Sequence, residues 1–531
     1  MTQRQTQTAQ YWEENFTVED ADLEHLYNIL LEEETPLTSD ELVLALIRRR
    51  VDREENAIRR QMFHGGPVYL PKETYTAGQE LTFPQLHFAV GKVTAVRPGS
   101  NPELGRFEVI TVDFGDGKQP REFATRLASH KLNEINDRLD NGDSPVRTAE
   151  EIAADYGRAA RSKLEARLKA KDDIVRIAAR WFPRALLADI NEGHLNLAEA
   201  ALDMAGGGPL PTTALLPHLD LPGTINQKLK TFALDYALQE DTRFDEVGPA
   251  GQVLWFLNRL EPAEVLTTPR HLKCDPAAGS VNLPDVLVDL EADLDDEFSL
   301  RRANVQPADE VTLYLTFPHL RAGTLPLSQK LAMLFPTAYE TPRIRFTLVD
   351  AHTGERRPGW VVRPGRYVFG LAEWYRKYEV PAGGTIAVQK GGEPGEVVVR
   401  IARRKPVREW VRSVAVNEGR VSFTMQKRPV AVEYDEQMIV AVDNISVVDQ
   451  VWQRMEERKP ALEKVVADMF RELAKLTTQS AVHARSLYSA VNVIRRTPPG
   501  PIFAELVSRP YFVHVGDAYW RFDDSRYTEH L

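Results

Sequence analysis

Residues 21–70 read ADLEHLYNIL LEEETPLTSD ELVLALIRRR VDREENAIRR QMFHGGPVYL. Leu23, Leu26, Ile29 and Leu30 recur at helical spacing, so one face of a helix is apolar. Glu34-Thr35-Pro36-Leu37 follows as a turn. Thr38 or Ser39 then caps a second helix, with Glu41 early in it, where negative charge suits the helix dipole. Leu42, Leu44, Leu46 and Ile47 supply its apolar residues. A third helix is predicted from about Asp52 to Phe63. His64-Gly65-Gly66-Pro67 is a turn signal, and Val68-Tyr69-Leu70 reads as a strand.

Three short helices followed by a Gly-containing hairpin resemble a winged helix, and the same order recurs twice. In the second instance Leu195 to Met204 is a helix ended by Gly206-Gly207-Gly208-Pro209. Helices from about Thr212 to His218 and from Asn226 to Leu238 follow. Arg243 to Gly248, the turn Pro249-Ala250-Gly251 and Val253 to Leu257 then read as a wing. In the third, helices are predicted over Leu462–Leu476, His483–Arg496 and Ile502–Val507, with Pro498-Pro499-Gly500 as the break. Tyr511 to Val515, Gly516-Asp517 and Tyr519 to Phe522 form its hairpin. The repeat lies in the order of elements more than in residue identity.

Between these modules the pattern changes. Thr76 to Thr125 reads as four or five short strands with Gly turns, Gly115-Asp116-Gly117 among them, which suggests a small SH3-like or Tudor-like barrel. Thr148 to Arg180 is helical and locally basic, with Arg158, Arg161, Lys163, Arg167, Lys169, Lys171, Arg176 and Arg180; a solvated connector is the plainer reading. Asp285 to Glu297 carries no Lys or Arg and is expected to be a solvated acidic linker.

Val311 to Arg404 is a β module with its own signature. Leu325-Pro326 precedes a short helix and Leu334-Phe335-Pro336; Trp360 lies on a later strand, Trp374-Tyr375 in a short helix, and Gly383-Gly384 in a turn before an apolar strand. This order resembles the pseudobarrel DNA-binding domain of plant auxin-response-type transcription factors and of some restriction-enzyme effector domains. It departs from that family at Gly384, where the family has Asp. The resemblance covers under a fifth of the chain. It implies two arms in the major groove, by position the loop near His319-Leu320-Arg321 and the strands around Arg363 and Arg366. Arg donates two hydrogen bonds to guanine and suits base readout there; the plainer reading of Arg363 and Arg366 is ordinary exposed strand residues.

A DNA-binding winged helix places its third helix in the major groove. The candidate DNA-contacting residues follow. In the first module Arg53, Asn56, Arg59 and Arg60 share one side of a helix, and Arg48, Arg49 and Arg50 precede them as phosphate contacts. In the second, Asn226, Gln227, Lys228 and Lys230 open the third helix. The third module is poor in positive charge and is expected to contact protein. Arg321, Arg363 and Arg366 complete the set, with Arg403 and Arg404 in a basic run that continues through Lys405, Arg408 and Arg412 around Trp410. Interleaved cation and aromatic suits phosphate contact and base stacking, although a core position is the plainer reading of a lone Trp.

No catalytic centre is legible. His-Glu-x-x-His, the Gly-Lys-Ser/Thr phosphate loop and Gly-x-Ser-x-Gly are absent. Asp113-Phe114-Gly115 spells a kinase triplet but lacks the rest of that machinery, so it reads as a strand end before a turn. The single cysteine, Cys274, excludes an internal disulfide or a Cys-rich zinc site. No cofactor, metal or membrane partner is expected; Met1 to Gln10 lacks a signal-peptide core, and the expected location is the cytoplasm. A net charge of −11 opposes simple coating of nucleic acid and leaves local patches to decide.

The expected architecture is α+β and multi-domain, winged helices combined with an SH3-like barrel and a pseudobarrel. The division is 1–75 winged helix, 76–130 barrel, 131–190 helical connector, 191–275 winged helix, 276–305 acidic linker, 306–405 pseudobarrel, 406–450 β extension and 451–531 winged helix. The expected function is non-enzymatic binding of duplex DNA in transcription or genome maintenance. The alternative is a protein-binding scaffold associated with RNA polymerase or another nucleic-acid machine.

Overall fold

The computed structural model describes residues 4–62, 66–86, 89–100, 107–115, 117, 119–133, 147–274, 282–301, 306–439 and 441–527, with the backbone alone at 58–62, 84 and 131. The chain is multi-domain α+β and divides into two units, Met1–Leu187 and Ala188–Leu531. Among the described residues no helix is long and apolar enough to cross a membrane.

In the first unit α1 (Asp20–Glu33) leads through β1 (Leu37–Thr38) into α2 (Ser39–Met62). The two helices expected between Ser39 and Phe63 are one. No Gly or Pro interrupts Ser39–Met62, so nothing ends the helix at Arg50. A sheet follows: β2 (Glu80–Phe83), β3 (Ala89–Pro98), β4 (Glu108–Asp113) and β5 (Arg121–Thr125), paired in that order. It curls over Tyr69, Leu81, Phe83, Val93, Ile110 and Val112 without closing. Asp113 ends β4, and its carboxylate accepts from the Gly115 N–H at 2.9 Å, as a strand end before a turn requires. The turn residues His64, Gly65 and Asp116 lie outside the described residues.

The basic segment read as a connector is α3 (Ala149–Lys169), opened by a reciprocal Thr148–Glu151 cap. It packs along α2, and the hairpin β6 (Ile174–Ile177) and β7 (Arg180–Pro183) follows it. β7 lies between β6 and β1. The hairpin of the first module is therefore β6–β7, whereas Val68 makes only one bridge, to Thr82. The β2–β5 sheet is an insertion between the second and third helices of one module.

The second unit opens with α4 (Glu192–Met204), β8 (Leu210–Pro211), α5 (Thr212–Leu215), α6 (Gln227–Glu240), β9 (Phe244–Glu246) and β10 (Leu254–Leu257). After the one-turn helix α7 (Ala263–Leu266) comes α8 (Asp285–Leu294), formed from the acidic stretch expected to be a linker. Leu287, Leu290 and Glu291 are buried, because the acidic residues alternate with an apolar helical face that the expectation passed over.

The middle β domain contains β11 (Glu310–Tyr314), α9 (Phe317–Ala322), β12 (Thr324–Pro326), β13 (Arg343–Asp350), β14 (Arg356–Val362), β15 (Tyr367–Phe369), α10 (Ala372–Lys377), β16 (Thr385–Lys390) and β17 (Glu396–Ile401). Its seven strands are ordered β11-β16-β17-β13-β14-β15-β12, with β13 and β17 parallel. The sheet curls around a core that includes Leu325, Ile344, Trp374 and Ile386, and β11 and β12 remain as edges. A long ribbon, β18 (Arg403–Asn417) and β19 (Arg420–Val432), leaves this sheet; β20 (Ala441–Val442) pairs with β18, and α11 (Ile445–Arg458) follows. The chain ends in α12 (Leu462–Ala474), β21 (Ala481–His483), α13 (Ala484–Ile494), α14 (Pro499–Ser508), β22 (Phe512–Gly516) and β23 (Tyr519–Phe522).

Three modules thus share helix, strand, helix, helix, strand, strand. In each, the last strand lies between the other two: β1-β7-β6, β8-β10-β9 and β21-β23-β22. The registers match as well. A Trp on the last strand pairs with the residue two positions before the second helix begins: Trp181 with Leu37, Trp255 with Leu210, Trp520 with Val482. In the first two modules that helix opens on a hydroxyl. The Trp181 indole N–H donates to Ser39 Oγ at 3.0 Å, and Ser39 donates to Glu165 on the third helix at 2.7 Å. Trp255 donates to Asp235 on its third helix at 2.9 Å, and Thr212 donates to the same carboxylate. The third module has Ala484 at this place, and the buried Trp520 Nε1 has no partner among the described residues.

Polar contacts bind the middle domain to its neighbours. Arg343 of β13 donates to Asp245 of β9 at 2.7 Å and lies 3.0 Å from Glu261; Phe256 meets Trp360 edge to face at 5.5 Å. The tip of the second hairpin is docked too, with the Ala250 N–H donating to Thr337 O at 2.6 Å. On the other side, Arg496 after α13 donates to Asp296 and Glu297 at 2.8 and 2.7 Å, all three buried. Glu297 also meets His319 Nε2 at 3.2 Å, and Tyr488 donates to Asp296 at 2.7 Å. Burial works against the Glu297 carboxylate, but the Arg496 and His319 charges hold its pKa below the ordinary range.

Candidate nucleic-acid interface

The described cations of α2 are largely committed to carboxylates. Arg50 is held by Asp22, Glu19 and the Thr17 carbonyl and stacks on Phe16, so it ties α1 to α2. Arg48 donates to Glu150 at 2.6 Å, Arg53 to Glu19 at 3.2 Å, and Arg49 lies 4.0 Å from Asp22. Arg48 and Arg53 are exposed, and such surface pairs contribute little and exchange readily for phosphate. Arg48, Arg49, Arg53 and the exposed Asn56 line a groove of about 1020 Å³ between α1 and α2, floored by Ile29, Leu37 and Leu44. Arg59 and Arg60 lie on the helical backbone, with side chains outside the described residues.

The third helices present a simpler picture. On α3 and just after it, Arg158, Lys169 and Lys171 are exposed and form no ion pair with any described residue. Arg161 and Arg167 pair with Asp40 and Asp20, and Lys163 donates to the carbonyls of Trp12, Glu13 and Phe16. The expected contacts on α2 omitted this helix, because its membership of the module depends on β6 and β7. On α6, Asn226 is a cap, its side chain accepting from the Lys228 N–H at 2.9 Å. Gln227 and Lys228 are exposed and Lys230 half-buried, and neither lysine is ion-paired with a described residue. α14 contains no Lys or Arg.

The arms expected on the middle domain are engaged within the fold. The segment around Arg321 is the helix α9, with His319 buried and Arg321 donating to Asp449 at 2.8 Å. Arg363 donates to Thr341 O at 2.9 Å; Arg366 donates to Glu297 O at 3.0 Å and stacks on Phe298. Arg403 covers Tyr378, and Arg404 meets Glu409 and covers Tyr434.

The ribbon β18–β19 differs. Its turn end is buried through Val414, Val421 and Phe423 in the core of the third module, and Ala402 and Glu433 fasten its base to the middle sheet. Between these ends, one face holds Val411 and Val430 against Tyr434 and Ala441. The pleat sends the alternate residues outward: Arg408 opposite Pro429, Trp410 opposite Lys427, and Arg412 opposite Met425. Trp410 is 63% exposed, so the core position expected for it is not the one it occupies. Arg408 and Lys427 are exposed and form no ion pair with any described residue, while Arg412 donates to Glu436 O.

Among the described residues no group of His, Cys, Asp and Glu is placed to hold a metal ion. Comparison with protein-family models, with curated proteins and with solved structures returned no match to this chain.

Proposed function

We propose that this protein binds duplex DNA without catalysing a reaction on it, through modules of winged-helix type. The observation that carries this reading is the thrice-repeated element order, with the last strand between the other two and one Trp register in all three. In such a module the third helix enters the major groove and the flanking segments meet phosphate. The helices so assigned are α3, with Arg158 and Lys169, and α6, with Gln227, Lys228 and Lys230. The SH3-like reading of the β2–β5 sheet and the pseudobarrel reading of the middle domain remain part of the proposal. Seven strands with two short helices suit the latter. Several weak modules on one chain give useful affinity despite a net charge of −11.

The test is an electrophoretic mobility shift of the full chain on short blunt duplexes across a salt series. Binding at low salt is expected. Arg158→Glu with Lys169→Glu, or Lys228→Glu with Lys230→Glu, is expected to weaken it and flatten the salt slope by about 1 per lost phosphate contact. Absence of any shift at the lowest salt sinks the proposal. One observation favours a protein-binding scaffold for the third module: α14 has no Lys or Arg, and the exposed Val513, Val515 and Tyr519 lie on its hairpin. Direct titration of purified RNA polymerase without nucleic acid examines that reading, and a lack of complex there removes it.

A further inference from the structure

We infer that the outer face of the β18–β19 ribbon is a stacking platform for unpaired bases, a single-strand site separate from the helices assigned to duplex. The inference rests on the DNA-binding reading and adds a ligand class to it.

Among the described residues Trp410 carries the most exposed aromatic ring, and it lies in the middle of a strand rather than at a loop tip. A ring held on a paired ribbon loses little freedom when a base stacks on it, because the backbone on both sides is already fixed. Its surroundings favour a polyanion. Lys427 lies directly across the ladder, Arg408 two residues along the same face, and Arg412 two residues the other way. No carboxylate occupies these outward positions between Arg408 and Arg412 or between Met425 and Pro429; Glu409 points to the other face, where Arg404 and Tyr434 hold it. Arg408 and Lys427 have no described ion-pair partner to give up, so a phosphate on either side of the stacked base meets a free cation. Met425 and Pro429 add flat apolar surface diagonal to the ring.

A duplex keeps its base faces inside the stack, so it offers a ring such as Trp410 only its ends. A single strand offers every base, and aromatic stacking is tolerant of sequence because each base has a π face. Cations spaced along the ribbon then follow the sugar–phosphate chain.

The experiment is fluorescence anisotropy of the full chain with labelled oligo-dT and, separately, with a labelled duplex whose two ends are closed by non-nucleotide linkers. Trp410→Ala is expected to weaken oligo-dT binding about tenfold or more and leave the closed duplex within about twofold. Arg408→Glu with Lys427→Glu is expected to lower the salt slope on oligo-dT. Trp410 is exposed, so the variant should melt with the wild type; circular dichroism checks this. Duplex binding without oligo-dT binding overturns the platform and leaves the DNA-binding reading standing. Oligo-dT binding that Trp410→Ala does not change overturns it as well, as does an equal loss on both ligands. Failure to bind either ligand overturns both readings together.

Discussion

Asp235 and Glu165 do the same structural work with opposite electrostatics. Both accept from the residue that opens the second helix of a module, and both help satisfy a buried Trp. Burial works against the Glu165 carboxylate, but the Ser39 and Arg161 hydrogen bonds and the nearby Arg176 charge hold its pKa below the ordinary value. Asp235 is more deeply buried. Burial lifts its pKa to about 6, against the hydrogen bonds from Thr212 and Trp255. Between its ordinary value near 4 and about 6, the folded chain binds a proton that the unfolded chain has lost. Stability from this group is therefore greatest below that window and falls as pH rises through it, by at most about 1.4 kcal/mol per pH unit. Asp235→Asn keeps an acceptor and removes the titration. The variant should gain on the wild type in denaturant midpoint between pH 4 and 6 and run parallel to it above. Parallel curves throughout that window would refute the assignment.

At the scale of elements, the turn between β6 and β7 shows why the first module was hard to read. A two-residue hairpin turn of this kind holds both central residues at positive φ, which usually selects Asn-Gly. Here they are Ala178 and Ala179, at φ 49° and 63°. An alanine in that region costs about 1–2 kcal/mol, so Ala178→Asn with Ala179→Gly should raise the stability of the first unit by about 1 kcal/mol. Chemical denaturation measures it, and a lowered midpoint would count against the turn as described. The second and third modules were legible because Gly206-Gly207-Gly208-Pro209, Pro249-Ala250-Gly251 and Gly516-Asp517 punctuate them. In the first, an Ala-Ala turn hid the hairpin and the absence of Gly or Pro hid the fusion of two helices into α2. The candidate site divides in the same way. Lys228 and Lys230 could be placed from the sequence, whereas the commitments of Arg50, Arg321, Arg363 and Arg366 depend on partners distant in the chain. Hydrophobicity does not say which face of a ribbon is covered, and so gives no sign that Trp410 lies outside the core.

At the scale of the whole molecule, the charge balance and the polar contacts have a common cause. Many arginines that the sequence offers to phosphate serve as internal fasteners. Arg343 and Arg496 join the middle domain to the modules on either side, and Arg50 joins α1 to α2. Among the exposed cations that no described carboxylate holds are Arg158 and Lys169 of α3, Lys228 of α6, and Arg408 and Lys427 beside Trp410. The inserted β2–β5 sheet has a further consequence, which concerns rate. In the third module the second and third helices are separated only by the chain from Ile494 to Pro499. In the first, the chain must close from Met62 to Ala149 before α3 meets α2. Closing a longer loop costs more entropy, and contacts distant in sequence form late. The three copies are thus expected to acquire protection in sequence, the third before the first, in pulse-labelled hydrogen exchange during refolding. Simultaneous protection of α3 and α14 would show that the inserted sheet folds fast enough to bring its own ends together, and that the interruption carries no kinetic penalty.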